Sequence, residues 1–399
     1  QPSRCRRTPP RLLLAPRLLL APARKEPMAK RSQHATMNAT DLVRADIATM
    51  EPYTPIFPFE VLAERLGRAP EDVVKLDANE NPYGPPTAVL RALANLQYAH
   101  IYPDPESRLL RSALSAATGV PAQHLLAGAG ADELIDLTMR LFVEPGDAIL
   151  NCPPTFGMYP FDASIAQARV VSVPRQADFA LDLDGIERAV AEHRPKLIFI
   201  ASPNNPDGNW LPDAALERLL ALPAVLVLDE AYVEFAVGRE SRLEQAAQRD
   251  NLIVLRTFSK WAGLAGIRVG YGAFPAGLMP HLWKIKQPYN VSVAATTAAL
   301  AALEDPAYLP RHAARMAAER ERLMALLGEV PYLRPYPSEA NFVLCRVVER
   351  DAHALKLALE EQGILIRYFD KPGLRDHIRI SVGRPDQTDA IISVLRRLV

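Results

Sequence analysis

From Leu125 to about residue 290 the chain repeats one pattern: a short apolar run, a burst of polar or glycine-rich punctuation, then a longer stretch with helical spacing. The apolar runs are LLAG at 125, DAILN at 147, ARVVSVP at 168, KLIFIAS at 196, AVLVLDE at 224 and NLIVLRT at 251. Runs that stay apolar, instead of alternating with polar residues, describe strands covered on both faces. Their alternation with helices predicts an α/β fold with a mostly parallel sheet between helix layers. Ligands of such sheets bind outside the carboxyl ends of the strands. The polar clusters that follow the runs are therefore predicted to meet at one edge. These clusters are Gly130 to Asp132, Asn204–Asn205, Asp229 with Tyr232, and Thr257 to Lys260.

The flanks read differently. A short arm with Tyr53 among prolines precedes a helix predicted over 59–66. A strand then runs into the Asn- and Pro-rich loop of 73–86, and helices are predicted over 87–96 and within 100–120. After residue 305 come a helix rich in Ala and Arg (310–327), NFVLCRV, a helix from Ala352 to Gln362, ILIRYF, HIRISVG and a last helix over 386–398. That order predicts a smaller α+β domain. The expected division is an arm and part of the small domain in 37–84, a large domain in 85–304 and the rest of the small domain in 305–399.

Composition narrows the class. The 399 residues are 49% hydrophobic and 23% charged, ordinary for a globular protein. The formal charge is zero, but residues 1–36 hold nine Lys or Arg against Glu26, so the remainder carries −8. A mildly acidic body argues against nucleic acid as a partner, and no apolar run is long enough to span a membrane. Cys5, Cys152 and Cys345 show no metal-ligand spacing and fit a reducing compartment, read here as the cytoplasm. The first 36 residues repeat RLLLAP at 11–16 and 17–22, with prolines at 9, 10, 16, 22 and 27. We expect a disordered basic extension outside the fold, without a selected role.

Candidate chemistry centres on TFSKWAGLAGIRVGYG, Thr257 to Gly272. A lysine at the end of a buried strand is costly unless it is paired or chemically used. Two hydroxyls (Thr257, Ser259) and the guanidinium of Arg268 nearby suit a phosphate. An amine beside a phosphate cradle is what a pyridoxal-phosphate enzyme requires.

The strings LDANENPYGP, YPD, GAGADE, CPPTFGMY, SPNNPDG, LDEAYVEF, TFSKWAGLAGIRVGYG, SEANFVLCR and LRDHIRISVG, in this order, resemble the aspartate-aminotransferase superfamily of fold type I pyridoxal-phosphate enzymes. Within it they resemble the histidinol-phosphate aminotransferase branch, over essentially all of Met37 to Val399. The resemblance implies a large domain with a seven-stranded sheet and a homodimer with shared active sites. It implies Lys260 as the Schiff-base lysine and proton carrier, and Asp229 as the partner of the pyridine nitrogen. Tyr232 and Asn205 would be donors to the ring's phenolic oxygen, and Phe156 the aromatic stacked on the ring. The phosphate would be held by the backbone of Ala131 and Asp132, by Thr257, Ser259 and Arg268, and by Tyr102 from the neighbouring subunit. Arg367 and Arg379, with Tyr53 and Asn79, would form the substrate pocket, the two arginines taking a substrate phosphate. The implied reaction is transamination between histidinol phosphate with 2-oxoglutarate and imidazole-acetol phosphate with glutamate. Alternatives on the same scaffold are an aromatic amino-acid aminotransferase, a threonine-phosphate decarboxylase and, least favoured, a non-enzymatic regulator. Two departures stand out: the family's Asn-Pro-Thr-Gly turn is Asn205-Pro206-Asp207-Gly208 here, and the arm has Tyr53-Thr54-Pro55-Ile56 where a Pro-Gly pair is usual.

Overall fold

The computed structural model describes residues 38–52 and 59–398. Tyr53 and the 1–36 segment fall outside the described residues. Residues up to Ala48 group apart from the rest. Of these, Ala39–Leu42 is a 3-10 turn capped by the Asn38 side chain, and Ala45–Ala48 is a single helical turn. All else described here lies in the unit that begins at Thr49.

Twelve strands are described: β1 (Val74–Leu76), β2 (Leu125–Gly128), β3 (Ala148–Asn151), β4 (Arg169–Ser172), β5 (Leu197–Ala201), β6 (Val225–Asp229), β7 (Leu252–Thr257), β8 (Gly270–Ala273), β9 (Leu333–Pro335), β10 (Phe342–Val347), β11 (Ile364–Tyr368) and β12 (His377–Ser381). Seven of them form one sheet in the order β2-β8-β7-β6-β5-β3-β4. The neighbours from β7 through to β4 are parallel, and β8 runs antiparallel to both β2 and β7. The mostly parallel sheet is the one expected from the apolar runs, and its seven strands are what the family resemblance implies.

The unbroken apolar character of the runs has a direct cause. Along β5, β6 and β7, Ile198, Ile200, Leu226, Leu228, Leu252 and Val254 enter one core. Their alternating neighbours Leu197, Phe199, Val227, Ile253 and Leu255 enter the core on the opposite face. Helices Leu183–His193, Asp213–Leu220 and Val293–Leu303 cover the first face, and Ala131–Phe142 and Met158–Ile165 the second. Each fully buried Leu or Ile there contributes roughly 1.5–3 kcal/mol of transfer free energy.

The second sheet has five strands in the order β1-β11-β12-β10-β9. Strand β1, from far earlier in the chain, pairs in parallel with β11, and the other pairs are antiparallel. The short strand β9 was not anticipated from the apolar pattern, since its three residues LRP alternate too briefly to register. The helices Tyr308–Gly328, Ala352–Glu361 and Pro385–Arg397 match those predicted within two or three residues.

Candidate active site

The loops leaving β2, β5, β6 and β7 meet at one edge of the large sheet, as the carboxyl-end rule requires. They enclose a cleft with about 670 Å³ of space free of protein atoms. Ala131, Asp132, Phe156, Asn205, Asp229, Tyr232, Thr257, Ser259, Lys260 and Arg268 all line it.

Lys260 follows β7 at the floor of the cleft, where its Nζ donates to the Ala78 carbonyl at 3.2 Å. Burial, reinforced by the positive charge of Arg379, brings its pKa down to about 8. Asp229 ends β6 and is 5% exposed. The Tyr159 hydroxyl donates to its Oδ2 at 2.7 Å and the Ala231 amide to its Oδ1 at 3.0 Å. Burial pushes its carboxyl up to about 6 despite both bonds, so the site has an unmet demand for a cation beside it. Phe156 packs edge-on against Tyr159, with ring centroids 5.6 Å apart.

The opposite end of the cleft is a cradle. Helix Ala131–Phe142 starts after Gly130, at φ 92°, and no side chain among the described residues caps its first amides. Such an end attracts anions. A β-carbon on Gly270 would lie 2.6 Å from the Ala131 nitrogen, and one on Gly130 would lie 2.8 Å from Arg268 Nη2. Only glycine leaves that space. The Thr257 hydroxyl donates to Ser259 Oγ at 2.9 Å. Arg268 pairs with the Asp132 carboxylate at 3.0 Å. Asp132 therefore offsets the charge of Arg268. The cause is reach: Arg268 approaches from the β7–β8 connection directly over the first turn.

The five-stranded sheet reaches this cleft through Arg379, although Asn79, Arg367 and Arg379 are not themselves among the residues that line it. Arg379 on β12 is 4% exposed and donates to Asn205 Oδ1 at 2.5 Å and to the Asp77 carbonyl at 2.7 Å. Arg367 stands directly opposite it on β11 in the antiparallel register. Both guanidinium groups lie 5.5 Å from the Phe369 ring centroid, and among the described residues Arg367 has no ion pair or hydrogen bond. Asn79, at φ 55° and 1% exposed, donates from Nδ2 to the Tyr232 hydroxyl at 3.0 Å. Its amide donates to Ser381 Oγ at 2.8 Å, and that hydroxyl donates back to Asn79 Oδ1 at 2.9 Å. Asn341 Nδ2 completes the hold on the Asn79 carbonyl at 2.9 Å.

Three of these residues escaped the sequence reading: Tyr159, Asn341 and Ser381. Ser381 was within reach, because strand periodicity puts it on the same face of β12 as Arg379, two residues earlier. Tyr159 and Asn341 sit inside quoted motifs but carry no local signal for their partners. Tyr102 is not brought to this cleft: it is 78% exposed and stacked on Tyr289 with centroids 4.6 Å apart.

The family described as "Aminotransferase class I and II" matches residues 71–395. The chloroplastic histidinol-phosphate aminotransferase of Nicotiana plumbaginifolia is 53% identical over 369 residues, 92% of this chain and 89% of that one. The histidinol-phosphate aminotransferase of Roseiflexus castenholzii is 53% identical over 368 residues, 90% of this chain and 98% of that one. The chain belongs to the histidinol-phosphate aminotransferase family. The crystal structure of the Sinorhizobium meliloti histidinol-phosphate aminotransferase, in complex with pyridoxal 5'-phosphate, superposes with a TM-score of 0.80 at 31% identity, covering 89% of this chain and 98% of that one. The fold is therefore fold type I, the chain is an aminotransferase, and pyridoxal phosphate is its cofactor. The donor set here fits that group. The uncapped helix start and glycine-cleared cradle suit its phosphate, the underpaired Asp229 its ring nitrogen, and the low-pKa amine of Lys260 its carbonyl carbon.

Proposed function

We propose that the protein transfers the amino group of histidinol phosphate to 2-oxoglutarate, giving imidazole-acetol phosphate and glutamate, as a step of histidine biosynthesis. The observation that carries the substrate assignment is Arg367, which faces Arg379 across β11 and β12 and, among the described residues, has neither an ion pair nor a hydrogen bond, only the Phe369 ring beside it. Two adjacent guanidinium groups suit a dianionic phosphate better than a single carboxylate.

When bound, pyridoxal phosphate supplies an electron sink that lets the carbon–hydrogen bond beside the substrate amine break as a proton loss. Lys260 Nζ is the group that takes that proton and returns it. Its depressed pKa makes it a better match to a near-neutral reaction than a surface lysine would be. Asp229 holds positive charge at the ring nitrogen, with Tyr159 and the Ala231 amide fixing its two oxygens. Tyr232, itself oriented by Asn79, and Asn205, oriented by Arg379, serve the phenolic oxygen. The amides of Ala131 and Asp132 with Thr257, Ser259 and Arg268 hold the phosphate, and Phe156 packs on the ring.

The active assembly in this reading is a homodimer. Tyr102 does not line its own cleft, and Leu90, Tyr98, Ile101 and Leu109, near it in sequence, are exposed apolar side chains. This supports a partner surface that carries Tyr102 to the neighbouring phosphate. The two sheets support the division into 37–84 with 305–399 and a large domain at 85–304. No helix among the described residues is long and apolar enough to cross a membrane. Cys152 and Cys345 are buried free thiols, in keeping with a reducing compartment such as the cytoplasm.

The test is a half-reaction. The cofactor-loaded protein is mixed in turn with histidinol phosphate, histidinol, phenylalanine and threonine phosphate, and loss of the cofactor's visible band is followed. Fast loss with histidinol phosphate, abolished when its phosphate is removed, is expected. Equal conversion by phenylalanine would reassign the protein as an aromatic aminotransferase, and carbon dioxide release from threonine phosphate would make it a decarboxylase.

A further inference from the structure

The residue at which this chain leaves the family's Asn-Pro-Thr-Gly turn, Asp207, is not among the residues that line the cleft. It is nevertheless 1% exposed, an expensive place for a carboxylate. Burial raises its pKa, opposed first by the charge of Arg175. Its two oxygens are both in use. One accepts from the Asn209 amide at 3.0 Å, and the other accepts a hydrogen bond from Asn204 Nδ2. Asn204, 0% exposed, spends its other Nδ2 hydrogen on the Pro154 carbonyl at 3.1 Å and accepts from the Thr155 hydroxyl at 2.7 Å through Oδ1. Every donor and acceptor of the Asn204 side chain is thus engaged, and its partners come from two separate loops. The residue after Asn204 is Asn205, and the residue after Thr155 is Phe156.

We propose that Asp207 is a positioning residue: through Asn204 it ties the turn presenting Asn205 to the loop presenting Phe156, holding these two side chains at a fixed spacing across the cofactor cleft. This rests on the reading that the cleft holds pyridoxal phosphate. A carboxylate accepts along two separate oxygens, whereas the threonine of the family's turn offers a single hydroxyl oxygen for the same two donors. The ionised form also makes the stronger, charge-assisted bonds.

The test compares wild type, Asp207→Ala, Asp207→Asn and Thr155→Val as holoenzymes. The readouts are the dissociation constant of pyridoxal phosphate, the pH midpoint of its visible band when bound, and the melting temperature. In Asp207→Ala, loss of the Asn205 donor at the phenolic oxygen should move the band's midpoint to higher pH. Cofactor affinity should fall about tenfold, the worth of one hydrogen bond near the upper end of its usual net range. Asp207→Asn, which keeps one acceptor oxygen, should fall between. Thr155→Val cuts the same tie from its other end, so it should shift the midpoint in the same direction and serves if Asp207→Ala does not fold. A lowered melting temperature with affinity and midpoint both unchanged would overturn the proposal, as would an unshifted Thr155→Val. Failure of wild type to bind pyridoxal phosphate would instead remove the underlying reading of the cleft.

Discussion

The two ends of the cleft are built on different principles. The phosphate end is assembled from chain termini of the large sheet: a helix start, two hydroxyls after β7 and an arginine in the following connection. Its donors are mostly uncommitted or bonded only to each other, and Arg268 is held by a half-exposed carboxylate. The substrate end is assembled on strands and on the Asn79 loop, and nearly every group is spoken for. Asn79 bonds with Ser381, Asn341 and Tyr232, Arg379 separately donates to Asn205, and Arg367 makes no hydrogen bond among the described residues. The contrast teaches where each ligand is expected to do work. The cradle gathers donors suited to an anion, whereas the other wall is tied by its own hydrogen bonds and presents Arg367 for recognition.

The largest effect should come from the residue between the two ends. Lys260→Ala should lower transamination by roughly 10³-fold or more, because it removes both the proton carrier and the covalent tether. The substitution removes the desolvation cost of a buried amine along with its hydrogen bond to the Ala78 carbonyl, so the melting temperature of the cofactor-free protein should change little. Measured turnover within a few fold of wild type would break the account of both walls at once.

Next in size is a change confined to the substrate wall. Arg367→Ala should raise KM for histidinol phosphate about 10–100-fold, the range for lost charge-assisted bonds, while leaving cofactor affinity unchanged. Arg379→Ala should disturb both, since it also releases Asn205 and the Asp77 carbonyl. If the two variants behave alike, the division between an open and a committed arginine is wrong. Comparing histidinol with histidinol phosphate in each variant makes the reading specific to the phosphate.

Much of this arrangement was legible in the sequence because the large sheet writes itself plainly. Strands buried on both faces give unbroken apolar runs, and each run ends where a ligand-facing loop begins, so eight cleft residues could be named from position, while Arg268 came from the motif around Lys260 and Phe156 from the family resemblance. What stayed hidden depends on partners distant in sequence. Ser381 meets Asn79 across 302 residues, and Asn341 meets it across 262. Neither leaves a mark on local periodicity. Tyr159 reads as a core aromatic and is one, fully buried, yet its hydroxyl fixes Asp229. Asp207 is visible in the sequence as a departure from the family's turn, but only the packing of two loops reveals what its two oxygens hold.

A smaller effect, on pH dependence, distinguishes the ring-nitrogen contact from the phosphate cradle. In the cofactor-free protein the Asp229 carboxyl is held at about 6 by burial. A cationic ring nitrogen favours its ionised form, so the bound-state value lies lower and protons compete with the cofactor. Affinity should therefore decline as the pH falls through about 6. Asp229→Asn should remove that share of the decline and weaken binding near neutrality by about tenfold per pKa unit of coupling. For stability of the cofactor-free protein the sign is the reverse of a salt-bridged carboxylate. A raised folded pKa favours the folded state below the unfolded value and loses that contribution as the pH rises through about 6. An identical acid decline in both proteins would assign the titration to the phosphate and its cradle instead.

The smallest expected change tests whether the committed wall is committed for a reason. Ser381→Ala removes a hydroxyl that both donates to and accepts from Asn79, leaving an amide and a side-chain oxygen buried without partners. That costs about 1–3 kcal/mol per unsatisfied group if water does not enter. Asn79 also sits in the left-handed region, where a side chain persists only while its surroundings hold it there. Released, it would no longer fix the Tyr232 hydroxyl, so the variant should show a lower melting temperature together with a several-fold loss in kcat and little change in KM for histidinol phosphate. Serine to cysteine would not serve as a control, since sulfur donates weakly, but Ser381→Thr keeps the hydroxyl and should restore kcat if its methyl is accommodated. A melting-temperature loss without any change in kcat would mean that the network stabilises the small sheet and has no part in orienting Tyr232. The two walls would then differ in rigidity but not in their share of the chemistry.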